Sequence, residues 1–251
     1  MQFEFIPRAG AVLLCVLAIV LVGCRCESSS DRGTEGQAKV REIDTNQRLK
    51  ATLDRMHDES DGEFLTILGG LWKGIFRPLK PEDLEDAYIA VDRDQGVYIY
   101  DLALEHEARN VVEFGTSFGI STLYLAAAAK QTDGRVITAE ILPEKVKVAR
   151  ANFEEAGMLR YIDLREGDAM DTLKNVPDRI DFLFFDAWSE LYVPLLEQLE
   201  PKMKDGAILV TDNTNFAGTK KFVKFLREHP NYDSRPAPVA NTEVTVYRKV
   251  R

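Results

Sequence analysis

Residues 111–122 read Val111-Val-Glu113-Phe-Gly115-Thr116-Ser-Phe-Gly119-Ile-Ser121-Thr. The first four are apolar enough for a strand. Gly115 then permits a tight turn and a close backbone approach. Gly119 opens a helical stretch over 120–130 that carries Leu123, Leu125 and four consecutive alanines. The amino terminus of such a helix offers unpaired N–H groups at the end of the strand. The spacing is E-x-G-x-x-x-G, not the G-x-G-x-x-G of dinucleotide enzymes. Glu113 would oppose a diphosphate, which disfavours an NAD-dependent oxidoreductase. It would welcome a cationic ligand, such as a sulfonium that also bears an amino group.

Outward from this turn the chain alternates short apolar runs with helical patterns. Strands are expected at 135–139, 161–165, 180–185 and 207–211, and helices at 143–156, 169–174, 191–202 and 216–229. Pro143 suits the first turn of its helix. The run IDFLFF at 180–185 is continuously apolar, as a strand buried on both faces requires. Repeated βα units imply an α/β fold, with a parallel sheet covered by helices on both faces. Residues 232–236 and 242–249 lie too close for a helical crossover, so they should form an antiparallel pair at the sheet edge. Together with 111–114 these make seven strands. Ahead of them, Val40, Ile43, Leu49, Leu53 and Met56 fall on one face of a helix.

Ligands of open α/β sheets bind beyond the carboxyl ends of the strands, so the residues directly after each strand are the informative ones. Glu140 stands 25 residues after Gly115 (140 − 115), where an acidic side chain can take both ribose hydroxyls of an adenosine ligand. Gly167-Asp168-Ala169 can hold an adenine edge, or cap the helix that begins there. Asp186 follows IDFLFF directly, and Asp212-Asn213 follows AILVT. If these two strands are neighbours, three hard oxygen donors converge, and Mg²⁺ favours such ligands.

With these residues assembled, the stretch from Ala87 to Lys249 resembles a class I S-adenosylmethionine-dependent O-methyltransferase of the catechol and caffeoyl-CoA type. The resemblance is carried by Asp92-Arg-Asp-Gln-Gly96, VVEFGTSFGIST, Glu140, REGDAMDTL, FLFFDAW, ILVTDN and the closing VTVYRKV. It implies a Rossmann-like methyltransferase fold. It also implies that Glu113, Gly115, Thr116, Gly119 and Ser121 line the methionine end and loop of S-adenosylmethionine. Glu140 would bind the ribose, and Asp168 and Ala169 would border the adenine, with Asp186 also near the cofactor. Asp186, Asp212 and Asn213 would hold a divalent cation, Mg²⁺, which binds vicinal oxygens of a small phenolic acceptor. One departure stands out. Relatives often carry a Lys, the proposed base, three residues after the metal Asp, but here the segment reads Asp186-Ala-Trp188-Ser189. Either the metal acidifies the substrate enough, or another group such as Lys73 reaches in, or the chemistry has changed and Ser189 marks a binding protein without catalysis.

The remaining chain limits partners and place. Asp and Glu outnumber Lys and Arg by 41 to 32, a net charge of −9, so nucleic acid is not expected as a partner. All three cysteines, Cys15, Cys24 and Cys26, lie in the first 26 residues, so the rest has no thiol nucleophile or disulfide framework. Residues 9–23 are uncharged and almost wholly apolar, too short for a comfortable membrane helix but right for the core of a secretory signal. Leu21-Val-Gly-Cys24 resembles a bacterial lipobox, which implies attachment to a membrane through Cys24; a short uncleaved anchor is the alternative. Residues 25–37 read as a flexible tether. The expected organisation is a signal or anchor at 1–24, the tether, a helical region at 38–86 that includes an apolar, glycine-rich stretch at 62–82, and a methyltransferase domain at 87–251. The stretch at 62–82 is a lid or a part of the core. A homodimer is compatible with this organisation.

Overall fold

The computed structural model describes residues 40–62 and 91–249. The apolar run at 9–23 with Cys24, the tether, the boundary at 86–87 and, of the stretch at 62–82, residues 63–82 with Lys73 lie outside the described residues.

Among the described residues, seven strands form one sheet. They are β1 (Asn110–Phe114), β2 (Arg135–Glu140), β3 (Ile162–Glu166), β4 (Ile180–Phe185), β5 (Met203–Thr211), β6 (Tyr232–Pro236) and β7 (Glu243–Tyr247). Their order is β3-β2-β1-β4-β5-β7-β6. The first five are mutually parallel, and β7 runs antiparallel between β5 and β6. The order reverses at β1, which pairs β2 on one side and β4 on the other. That reversal opens the crevice in which such sheets bind ligands.

The alternation of side chains along each strand feeds two cores. One face packs against α1 (Glu42–Thr45), α2 (Gln47–Gly62), α3 (Arg93–Glu105), α4 (Ile120–Gln131) and α5 (Pro143–Glu155), through Ile43, Leu49, Ile99, Leu123 and Phe153. The other packs against α6 (Ala169–Thr172), α7 (Tyr192–Leu199) and α8 (Ala217–Glu228), through Ala169, Leu195 and Phe222. In β4, Phe182 and Phe184 enter the first core, and Leu183 and Phe185 the second. Residues 182–185 are therefore apolar because both faces are dry there, while Asp181 near the start of the strand accepts from the Arg109 and Asn110 N–H groups and pairs with Lys204.

Several elements differ from expectation. The amino-terminal helical pattern is two helices broken at Asn46, and Val40 lies before them at 69% exposure while Ile43, Leu49, Leu53 and Met56 are buried. The helix expected at 191–202 is α7 between two tight turns, Ser189–Leu191 and Glu200–Lys202. Pro201, which has no N–H to donate, stands in the second. Strand β5 starts at Met203 rather than 207, because its register against β4 shifts between Ile180 and Phe182 and absorbs the extra residues. Helix α3 was not expected from periodicity. It begins with a capping box in which Asp92 accepts from the backbone of Gln95 and Gln95 accepts from that of Asp92.

Candidate active site

The turn after β1 is fixed from two sides. Gly115 has φ +106, and a Cβ there would come 2.2 Å from the carbonyl oxygen of Asp186. Only glycine lets the ends of β1 and β4 meet this closely, and the Asp186 N–H donates to the Phe114 carbonyl at 3.0 Å. Gly119 precedes α4 in the left-handed region at φ +98, with the ring of Phe153 where a Cβ would be.

Glu113 lies beneath this turn and is wholly buried. Its carboxylate accepts from the Ser121 hydroxyl at 2.7 Å and from the Thr122 hydroxyl, both in the first turn of α4. Thr116 and Thr138 share a hydroxyl hydrogen bond of 2.5 Å close by. Burial pushes the Glu113 carboxyl up, against the hydroxyls of Thr122, Thr138 and Ser121. Glu113 and Ser121 are thus engaged with each other in the floor of the turn.

Glu140, at the end of β2, ties the turn to the neighbouring strand end. Its two oxygens accept from the backbone N–H groups of Ser117 at 2.8 Å and Leu142 at 3.0 Å. An ionised carboxylate has about four acceptor positions, so two hydroxyls can still be taken. Asp168 is exposed and caps α6 by accepting from the Met170 N–H at 2.8 Å, and Ala169 is buried behind it. The capping role and a place beside an adenine are compatible there, because the cap occupies one oxygen.

At the ends of β4 and β5 the structure brings Asp186, Asp212 and Asn213 together. The Asp212 N–H donates to the Phe185 carbonyl at 3.0 Å, which sets the two strand ends level. Asn213 turns back with φ +59, and its Nδ2 donates to Asp186 Oδ1 at 2.5 Å. Asp212 Oδ1 accepts from Gln95 Nε2 at 2.8 Å and from the Thr242 hydroxyl at 3.3 Å. Burial, then the neighbouring charges of Asp212 and Glu113, hold Asp186 well above the ordinary carboxylate range, although the Asn213 amide opposes this. Burial likewise pushes Asp212 up to about 6, against the Asn213 backbone, the Thr242 hydroxyl and the Gln95 amide. The half-buried Asp186, the buried Asp212 and the Asn213 amide bonded to Asp186 offer the oxygen donors that a hard divalent cation favours. Among the described residues, no group of three or more Asp, Glu, His or Cys side chains is placed to hold a metal ion, so Asp186 and Asp212 are the charged candidates at this edge, with the Asn213 amide beside Asp186.

A family model described as O-methyltransferase matches residues 80–225, more than half of the chain. The chain belongs to the O-methyltransferase family. A catechol O-methyltransferase of Mycobacterium tuberculosis is 32% identical over 160 residues, covering 58% of this chain and 72% of that one. A second, from Niastella koreensis, is 32% identical over 129 residues, covering 50% of this chain and 58% of the relative. Among solved structures, an O-methyltransferase from Bacillus cereus in complex with SAH aligns with TM-score 0.58 at 22% identity, over 80% of this chain and 100% of that one. One from Streptomyces achromogenes involved in tomaymycin synthesis, in complex with SAM, aligns with TM-score 0.61 at 21% identity, over 81% and 90%. The structural likenesses speak for the fold. The family match makes the chain an S-adenosylmethionine-dependent O-methyltransferase.

Within this methyltransferase Ser189 is half-buried, and its hydroxyl lies 2.0 Å from where a Cβ on Gly218 would stand. It is therefore packed against the first turn of α8. The segment between Asp186 and Ser189 is braced by Tyr192, whose hydroxyl accepts from the Ala187 N–H at 2.9 Å and donates to the Ala187 carbonyl at 3.0 Å. Burial raises the Tyr192 phenol well above its ordinary range, so it is a brace and not a base. A cleft of about 470 Å³ between α8 and the β6–β7 loop shares Thr242 with the surroundings of Asp212. Sequence reasoning missed Gln95, Thr242 and Tyr192. Only Gln95 carried a local signal, the Asp92-x-x-Gln95 spacing of a capping box.

Proposed function

We propose that this O-methyltransferase methylates one of two neighbouring oxygens on a small phenolic, catechol-like acceptor, assisted by a divalent cation. The observation that carries the reading is the level placement of Asp186, Asp212 and Asn213 at the ends of β4 and β5, beside the glycine turn of β1. The catechol O-methyltransferase names of the two relatives from Mycobacterium tuberculosis and Niastella koreensis support the acceptor class.

In this reading Glu140 accepts the ribose hydroxyls of S-adenosylmethionine, and Gly115 and Thr116 bring backbone close to its methionine end. Glu113, in the floor of the turn, favours the positive charge above it. Asp186, Asp212 and Asn213 would hold the cation. Bound there, a cation would supply a lowered hydroxyl pKa and a fixed position for the acceptor oxygen. The acceptor oxygen then attacks the methyl carbon in line with the departing sulfur. A C–O bond forms as the C–S bond breaks, S-adenosylhomocysteine leaves, and the hydroxyl proton passes to solvent. Positioning and exclusion of water by the two strand ends supply most of the rate. Ser189 offers no amine to take that proton, which favours a second reading, a cofactor-binding protein with lost or altered catalysis.

Asp212→Ala separates the two. On a dihydroxybenzoate test substrate it should remove the dependence on Mg²⁺ and most turnover, while leaving S-adenosylmethionine binding by calorimetry close to that of the unaltered chain. Equal turnover in both proteins would sink the metal assignment. We further propose that the 9–23 run and Cys24 attach the enzyme to a membrane. The chain should fractionate with membranes and Cys24→Ala should lower that share; no difference between them would refute a lipid at this cysteine.

A further inference from the structure

Gln95 is a buried polar residue that meets Asp212 across 117 positions of sequence. Its side-chain oxygen accepts from the Asp92 N–H at 3.0 Å and so helps to start α3. Reversing the amide would break that bond, so the nitrogen must face the edge of the sheet. There Nε2 donates to Asp212 Oδ1 at 2.8 Å, and lies 2.9 Å from the Ala240 carbonyl and 3.1 Å from the Thr242 hydroxyl. The single Thr242 hydroxyl proton is shared between the Ala240 carbonyl at 2.8 Å and Asp212 Oδ1 at 3.3 Å. Capping a helix needs only the oxygen. The nitrogen joins the end of β5 to the β6–β7 loop, and its contact with a carboxylate is the strong, charge-assisted kind.

We propose that Gln95 is a positioning residue for the cation. It holds Asp212 Oδ1, fixes the rotation of the carboxylate and thereby sets which oxygen is left to the cation. The inference rests on the reading of Asp212 as a metal ligand. Groups that orient metal ligands through hydrogen bonds typically change metal affinity or activity by about 10–100-fold when removed.

The test uses the full chain and Mn²⁺ as a probe, with Mn²⁺ and S-adenosylmethionine affinities measured separately by calorimetry. Gln95→Met keeps the bulk and removes both polar atoms. It should weaken Mn²⁺ binding by about 10–100-fold and leave S-adenosylmethionine affinity unchanged. Gln95→Asn, one methylene short of Asp212, should weaken Mn²⁺ in the same direction and decides the matter if the Met variant does not fold. Asp212→Ala sets the scale. If it loses Mn²⁺ while both Gln95 variants bind as tightly as the unaltered chain, Gln95 is a helix cap and the inference is overturned. If Asp212→Ala keeps full Mn²⁺ affinity, the metal reading itself falls, and the inference with it. A purely structural role would lower Mn²⁺ and S-adenosylmethionine affinity together.

Discussion

Asp212 sits almost out of water with a second carboxylate, Asp186, nearby. Its carboxyl rises to about 6, mainly through burial, from an ordinary 3.8. The sign of the consequence follows from linkage. Between those values the metal-free folded protein holds a proton that the unfolded chain has released. The associated stability is complete below the unfolded value and is lost as pH rises through the folded one. The raised Asp186 and Glu113 act in the same direction. The melting temperature of the metal-free protein should therefore fall as pH rises from about 4 to about 6. Asp212→Asn should flatten part of that fall, and Mg²⁺ should restore stability at the upper end. A melting temperature with the same pH slope in the unaltered and Asp212→Asn proteins would rule out this titration. At this scale Asp186, Asp212 and Asn213 were legible in sequence, because a polar residue directly behind an apolar strand has a predictable position. Gln95 was not, because its partner is set by how α3 docks on the sheet and no local spacing records that.

At the scale of elements, the βα units were legible because each strand is apolar for a physical reason and each turn has a glycine or an acidic residue at its end. Both faces of β4 are covered, hence the apolar Phe182-Leu-Phe-Phe185. The turn at Gly115 needs glycine, because the Asp186 carbonyl occupies the space of a side chain. The less legible elements are those decided by long-range packing. Helix α3 has Gly96 in its first turn, where a side chain would meet the ring of Tyr124 2.2 Å away. As a helix-interior residue glycine weakens the local signal, yet here it lets α3 lie close on α4. The early start of β5 depends on a register shift against β4, which no periodicity within β5 reveals. The exposure of Val40 marks the end of a helical pattern that the break at Asn46 had already divided.

At the scale of the molecule, the strand order places the end of β1 between those of β2 and β4. Turn, ribose-side carboxylate and paired aspartates therefore stand along one edge. In the proposed reading the first three strand ends would form the cofactor side, and β4 and β5 the cation side. That division is the central claim: methyl transfer from S-adenosylmethionine to a vicinal-oxygen acceptor that requires a cation at the second half of the edge. The most direct measurement follows isotopically labelled methyl from S-adenosylmethionine onto dihydroxybenzoate, with the full chain, in added Mg²⁺ and in a strong chelator. The account predicts label on an acceptor oxygen with Mg²⁺ and almost none in chelator, with cofactor binding retained in both. Equal transfer in chelator would contradict the role of Asp186, Asp212 and Asn213, and no transfer in either condition despite tight cofactor binding would contradict catalysis on this acceptor class.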